Sequence, residues 1–339
     1  MLAGMLLALV FILPVVVLYL LVIKSMDRFE PEPVWLLGVM FLWGALGSTL
    51  AALILNQVGQ AAVGMAVGLD STKPEVDMLT AVLVAPPVEE STKGFGLLLL
   101  WGLSAVWLKE LDGPLDGAIY GGVVGLGFTL TEDVLYVTSA FGQAGAAGFM
   151  AVFILRTVLA GLGHASFTAM TGVAIGAAAE TRNVFAKFAL PLGGWAAAVG
   201  LHALHNTLAS SPSGGLALKF LVFWIFDLLF FVLLFILALR DRAIVMRGLA
   251  DEVGSVLHPL EFRRTVSYSM FVPLANFFSL LSSPRGYWAA RKKQLDLVEL
   301  AFVKRRRLRG EVGLSGREAE LRARLDRANQ QGVFVGMKR

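Results

Sequence analysis

Cysteine is absent from the 339 residues and charge is scarce, with 16% Asp, Glu, Lys and Arg against 57% hydrophobic residues. Without thiols there is no disulfide, no zinc thiolate site and no cysteine nucleophile. The absence suits reducing and oxidising compartments alike. A soluble globular domain carries about 25% charged residues, so a mean hydropathy of +0.72 marks a polytopic membrane protein. Three motifs are also missing. No Gly-x-Ser-x-Gly or Ser–Lys arrangement is present, which removes the common serine nucleophiles. No His-Glu-x-x-His is present, which removes the usual zincin helix. Leu2–Ile23 lacks a positive n-region and a small-x-small site before Lys24, so it reads as a retained transmembrane helix rather than a cleaved signal.

What is present is a series of long apolar runs. A helix needs about 20 apolar residues to cross the hydrocarbon core, and seven runs qualify: 2–23, 34–55, 78–107, 116–139, 149–178, 185–210 and 217–239. The expected fold is therefore all-α, a polytopic membrane bundle of seven helices with a basic helical tail. Residues 56–69 are apolar but interrupted by Gly and Gln, and read as a re-entrant or interfacial helix or as part of an eighth crossing. Runs 78–107 and 149–178 exceed a straight crossing, which predicts tilt or a break at Pro86-Pro87.

Charge divides the chain near Arg240. Residues 1–239 hold nine Lys/Arg and fifteen Asp/Glu, whereas 240–339 hold twenty and ten. That gives a membrane domain, 1–239, and a basic tail, 240–339. Lys24, Arg28, Lys109, Arg182 and Lys187 lie in alternate short loops, and this bias places the tail in the cytoplasm. With seven spans the N-terminus is then outside, and an eighth would reverse it.

Four apolar runs carry ionisable groups. They are Glu89-Glu90-x-x-Lys93; Glu132-Asp133 with Tyr136; Arg156 and His164; and His202 with His205 and Asn206. Such groups cost about 2.5–3.5 kcal/mol each at the bilayer centre and so face protein or a water-filled cavity. A shared polar site in the outer half of the bilayer or near its midplane is the expectation. Glu89 and Lys93 are spaced for an i, i+4 ion pair. Adjacent Glu89 and Glu90 point about 100° apart on a helix, so that one can activate water while the other braces its surroundings. Asp133, Tyr136 and His205 read as supporting groups, and Arg156 as the cation that offsets surplus carboxylates. The glycines from Gly117 to Gly127 read as close helix packing.

Glutamates beside histidines in a dry pocket suit general-base activation of water. They also suit a divalent metal, zinc first, held by carboxylates and neutral imidazoles. Asn206 or a protonated histidine would hold the oxyanion. Peptide hydrolysis by activated water is the natural chemistry. The competing reading, a transporter or proton relay, predicts internal repeats, and the Glu89 and Glu132 segments differ in layout.

At these residues the chain resembles the PrsW family of intramembrane proteases, within the larger group of CAAX prenyl endopeptidases and Abi proteins. Glu89-Glu90-x-x-Lys93, Phe128-x-x-x-Glu132, an isolated His164 and His202-x-x-x-Asn206 follow one another across residues 75–210, each on its own span. The resemblance implies cleavage of a transmembrane protein substrate, in PrsW proteins an anti-sigma factor cut on its extracytoplasmic side at the bacterial plasma membrane. It also implies Glu89 as the water-activating base, with Glu132, His164 and His202 around the water or metal and Asn206 on the oxyanion.

The tail combines an apolar stretch, Tyr268–Leu281, with the clusters Arg291-Lys292-Lys293 and Lys304–Arg307. Such clusters attract anionic lipid headgroups at about 1 kcal/mol per residue, and no motif supports nucleic acid. Ser315-x-x-Glu318 predicts a capping box opening a short helix that carries Leu321 and Leu325.

Overall fold

The structure is a computed structural model that describes residues 2–210, 216–267 and 281–336. Among these residues the fold is all-helical, apart from one isolated bridge between Val253 and Leu257. Among the described residues six helical stretches are long and apolar enough to cross a bilayer: 2–26, 34–67, 74–108, 114–180, 184–210 and 221–252. The chain divides into two compact units, Met1–Asp27 with Glu32–Leu234, and Arg28–Pro31 with Phe235–Arg339.

In the first unit α1 (Leu2–Met26) is followed by α2 (Val34–Leu42) and α3 (Thr49–Val67), joined through a π-helical turn at Trp43–Ser48. Residues 56–67 are not a separate re-entrant element; they continue α3. Of the glutamines that suggested an interruption, Gln60 has partners, donating to Ser71 O at 2.9 Å and to Asp77 Oδ1 at 2.6 Å. Gly68, with φ of 71°, ends the helix in the left-handed conformation glycine favours.

The next stretch joins α4 (Pro74–Leu79), a π-helical turn at Thr80–Val84, and α5 (Ala85–Leu103). The break expected at Pro86-Pro87 is a widening instead. Each proline removes one N–H from the ladder, and the five residues before α5 respace to the longer π pattern.

At the centre lies α6 (Pro114–Val152), buried without interruption from Pro114 to Thr129. It packs most extensively on α7 (Gly163–Glu180). A Cβ at Gly117 would collide with the carbonyl of Gly172, and one at Gly125 with that of His164. This pairing order makes α6 and α7 antiparallel, so residues 114–180 fold back on themselves. The reversal uses a bend at Ala144–Gly145, where Gly145 has φ of 60° and ψ of −147°, then a π-helical segment, Phe153–Leu159. The run 149–178 is thus broken just ahead of His164, which stands in the first turn of α7 rather than deep in a continuous helix. Helices α8 (Val184–Ser210) and α9 (Leu216–Leu249) complete the apolar stretches.

The second unit has its own core, including Phe29, Leu249, Leu297, Leu300, Leu321 and Leu325. Its helices are α10 (Pro259–Thr265), α11 (Pro284–Leu308) and α12 (Ser315–Gln330). Helix α12 forms as expected, but the capping box does not. Leu314 takes the cap position, and Glu318 instead receives Arg307 and Arg322, each at 2.8 Å. Lys293 is likewise no surface cation. It is fully buried and donates to Glu261 at 2.6 Å, Asn329 Oδ1 at 2.7 Å and Val333 O at 2.8 Å. Residues 268–280 of the expected apolar stretch lie outside the described residues.

Candidate active site

The carboxylates and imidazoles of α5, α6, α7 and α8 meet. Glu90 is fully buried and accepts three hydrogen bonds: Lys93 Nζ to Oε1 at 2.9 Å, Thr168 Oγ1 to Oε2 at 2.9 Å, and His202 Nδ1 to Oε1 at 3.1 Å. Burial of a carboxylate is tolerable only with partners of this kind. Lys93, also fully buried, reaches His164 Nδ1 at 3.0 Å and lies 3.8 Å above the Phe128 ring. An ammonium can only donate, so Nδ1 of His164 accepts and its Nε2–H faces Glu132 Oε2 at 2.6 Å.

Glu89 differs from its neighbour. Its Oε1 accepts from Asn56 Nδ2 at 3.2 Å, while its Oε2 is buried and has no hydrogen-bond donor among the described residues. Lys93 Nζ lies 3.6 Å and His202 Nε2 3.8 Å from Oε2. The His202 ring is held at its other edge by Glu90 and lies 5.2 Å from Phe167, nearly parallel at 22°. The ring centroids of His164 and His202 are 4.9 Å apart.

Around this centre, Arg156 Nη2 pairs with Glu132 at 2.8 Å and Arg156 Nε with Asp133 at 3.0 Å. Asp133 also accepts from Thr157 Oγ1 at 2.8 Å, and the guanidinium lies 3.9 Å over the Tyr136 ring. The structure therefore gathers Glu89, Glu90, Lys93, Glu132, His164 and His202, with Asp133, Tyr136 and Arg156 behind Glu132. Two expected residues sit apart from it. His205 stacks on Phe223 at 4.1 Å and 26°. Asn206 donates to the carbonyl of Ala81 at 2.8 Å, the acceptor that Pro86 leaves unserved in a π-helical i to i−5 pattern. Asn56 and Thr168, which hold the two glutamates, were not expected. Asn56 opens the stretch 56–69, where the amides Gln57 and Gln60 follow it, and nothing in the sequence singles it out from them.

Three of these groups fit a metal ion. One donor atom each from Glu89, His164 and His202 lies within 4.8 Å of the others, where the sequence suggested Glu132 rather than Glu89. The Oε2 of Glu89 is a buried acceptor without a donor among the described residues, an orphan that a cation would satisfy. Glu90 behind His202 Nδ1 is the carboxylate–imidazole pairing that orients ligating histidines. Both nitrogens of His164 already have partners, Lys93 and Glu132, so ligation there exchanges one of these bonds.

A family model described as PrsW family intramembrane metalloprotease matches residues 32–238. Neither a curated protein nor a solved structure is matched by the chain.

Proposed function

The chain belongs to the PrsW family of intramembrane metalloproteases, and from that premise we propose that it is an endopeptidase cleaving a peptide bond in a membrane-embedded or membrane-proximal protein. The observation that carries the assignment is the open Oε2 of Glu89, buried and without a donor next to His202. Glu90 already holds three donors, and Glu132 is engaged by His164 and Arg156. Of the three glutamates, Glu89 is the one with a fully buried oxygen that has no donor among the described residues. The proton of the attacking water passes to Oε2 as the new C–O bond forms, and then to the leaving nitrogen as the C–N bond breaks. Glu90 keeps the His202 ring oriented, and Glu132 does the same for His164. Asn206 keeps a second N–H beyond its bond to Ala81, available to an oxyanion.

In the metal-dependent form of this reading Glu89, His164 and His202 would hold a divalent metal, zinc first, with Glu89 then a ligand in place of the base, and the ion would supply Lewis acidity and a more acidic water. The proposal includes seven crossings, because the folded-back stretch 114–180 would be about 100 Å long as a single rod. It includes a cytoplasmic basic tail on anionic lipid, a bacterial plasma-membrane setting, and a single-span substrate of the anti-sigma type. The wider kinship with CAAX prenyl endopeptidases belongs to the same proposal and rests on the order of the four motifs.

The test is cleavage of a single-span peptide substrate by the purified full chain, with metal content measured on the same sample. Cleavage lost in Glu89→Gln, with about one zinc per chain lost in His202→Ala, supports the reading. Robust cleavage by Glu89→Gln overturns the assignment of the base.

A further inference from the structure

We propose that Asn56, on α3, is a positioning residue for Glu89, an inference that rests on the endopeptidase reading. Its Nδ2 donates to Glu89 Oε1 at 3.2 Å. The other end of the amide, Oδ1, is buried and has no hydrogen-bond partner among the described residues. Only the donor end can face a carboxylate, since Oδ1 would meet Oε1 acceptor to acceptor, so the amide orientation is settled by chemistry.

The bond decides what Glu89 can do. With Oε1 tied to α3, the carboxylate cannot turn freely about its last torsion. Oε2 is thereby kept 3.8 Å from His202 Nε2 and 3.6 Å from Lys93 Nζ. Released, the carboxylate could swing so that both oxygens engage Lys93, which would remove the open acceptor on which water activation depends.

A purely structural role does not account for Asn56. Helix α3 is fastened to the 74–103 stretch at other levels: the Ser48 and Thr92 hydroxyls meet at 2.8 Å, and Gln60 reaches Asp77 at 2.6 Å. One turn from Asn56, Gly59 admits the Val84 side chain, which a Cβ at that position would strike. The helices are held without the amide. A leucine in its place would avoid leaving Oδ1 buried and unserved, a penalty that local packing would not select.

The experiment compares full-length wild type with Asn56→Leu, Asn56→Gln and Asn56→Asp, reading kcat, KM and the zinc dissociation constant. Asn56→Leu is expected to lose about 10- to 100-fold in kcat and in zinc affinity, the usual penalty for removing a group that orients a ligand, while KM stays within about twofold. Asn56→Gln keeps a donor and recovers part of the loss. Asn56→Asp sets carboxylate against carboxylate and is the worst of the three. A space-filling role predicts the reverse order, with leucine tolerated. Should Asn56→Leu fail to fold, the Gln and Asp variants carry the comparison, and equal activity in those two overturns the proposal. So does Asn56→Leu with unchanged kcat and zinc affinity. A wild type that neither cleaves nor binds zinc overturns the functional reading itself, and this inference with it.

Discussion

Nδ1 of His202 lies 3.1 Å from Oε1 of Glu90, while Nε2 of the same ring faces Oε2 of Glu89 at 3.8 Å. One imidazole therefore separates two adjacent glutamates into different environments. Glu90 receives donors on both oxygens and is closed to further chemistry. Neighbours in sequence, the two share Lys93 and His202, yet only Glu89 keeps a buried oxygen without a donor among the described residues.

Glu89→Gln removes the open base and keeps the shape. Cleavage is expected to fall about 10²- to 10⁴-fold, the range for a lost general base. The thermal midpoint should stay near that of wild type, because Lys93 retains Glu90 at 2.9 Å. Initial rates on a single-span peptide, read alongside a melting curve, check both halves.

Glu90→Ala should behave in the opposite way. It strips Lys93 of its nearest carboxylate and leaves Thr168 Oγ1 and His202 Nδ1 without their acceptor. Removing one partner of a buried pair costs about 3–5 kcal/mol. The variant is expected to unfold at clearly lower temperature or denaturant in detergent, with activity lost as a consequence. A Glu90→Ala protein as stable as wild type would show that Lys93 finds another partner.

The convergence of Glu89, Glu90, Lys93, Glu132, His164 and His202 was legible in the sequence because an ionisable group within an apolar span must find polar company. Which glutamate stays open was not legible, since that depends on Asn56 and Thr168, whose neighbours lie 33 and 78 residues away. The two amides show the same limit. Asn206, read in sequence as an oxyanion donor, serves a carbonyl released by Pro86, and Asn56, which the sequence does not single out, serves a carboxylate. Lys293 looks like part of a surface basic run because its partners, Glu261, Asn329 and Val333, are 32 to 40 residues distant.

Gly172→Ala should prevent α6 and α7 from closing. The added methyl would run into the carbonyl of Gly117, a backbone atom that cannot turn aside as a side chain could. Overpacking typically costs about 1–3 kcal/mol, and a backbone clash between the two most extensively packed helices belongs at or above the upper end. Since His164 stands on α7 at the same interface, zinc affinity and cleavage should fall together with the melting temperature. Gly102→Ala, where the new methyl meets nothing, is the control and should leave all three unchanged.

The second unit carries its own pH dependence through Glu318. Burial pushes its carboxyl up, but the hydrogen bond from Arg307 and the charge of Arg322 outweigh burial and hold it below the usual carboxylate range. A carboxylate lowered on folding stabilises the folded form above its unfolded value, about 4.3, and that contribution is lost as pH falls through the folded value. Stability of α12 should thus be flat above about pH 5 and decline below about pH 4. The decline should be modest, because Arg307 is 59% exposed and solvent screens its share of the pairing. Hydrogen exchange across residues 315–330 of the full chain, followed from pH 7 to 3, measures it. Glu318→Gln should exchange faster than wild type at neutral pH and lose that part of the acid dependence. If both proteins show the same acid profile, the pairing with Arg307 and Arg322 is not what stabilises α12.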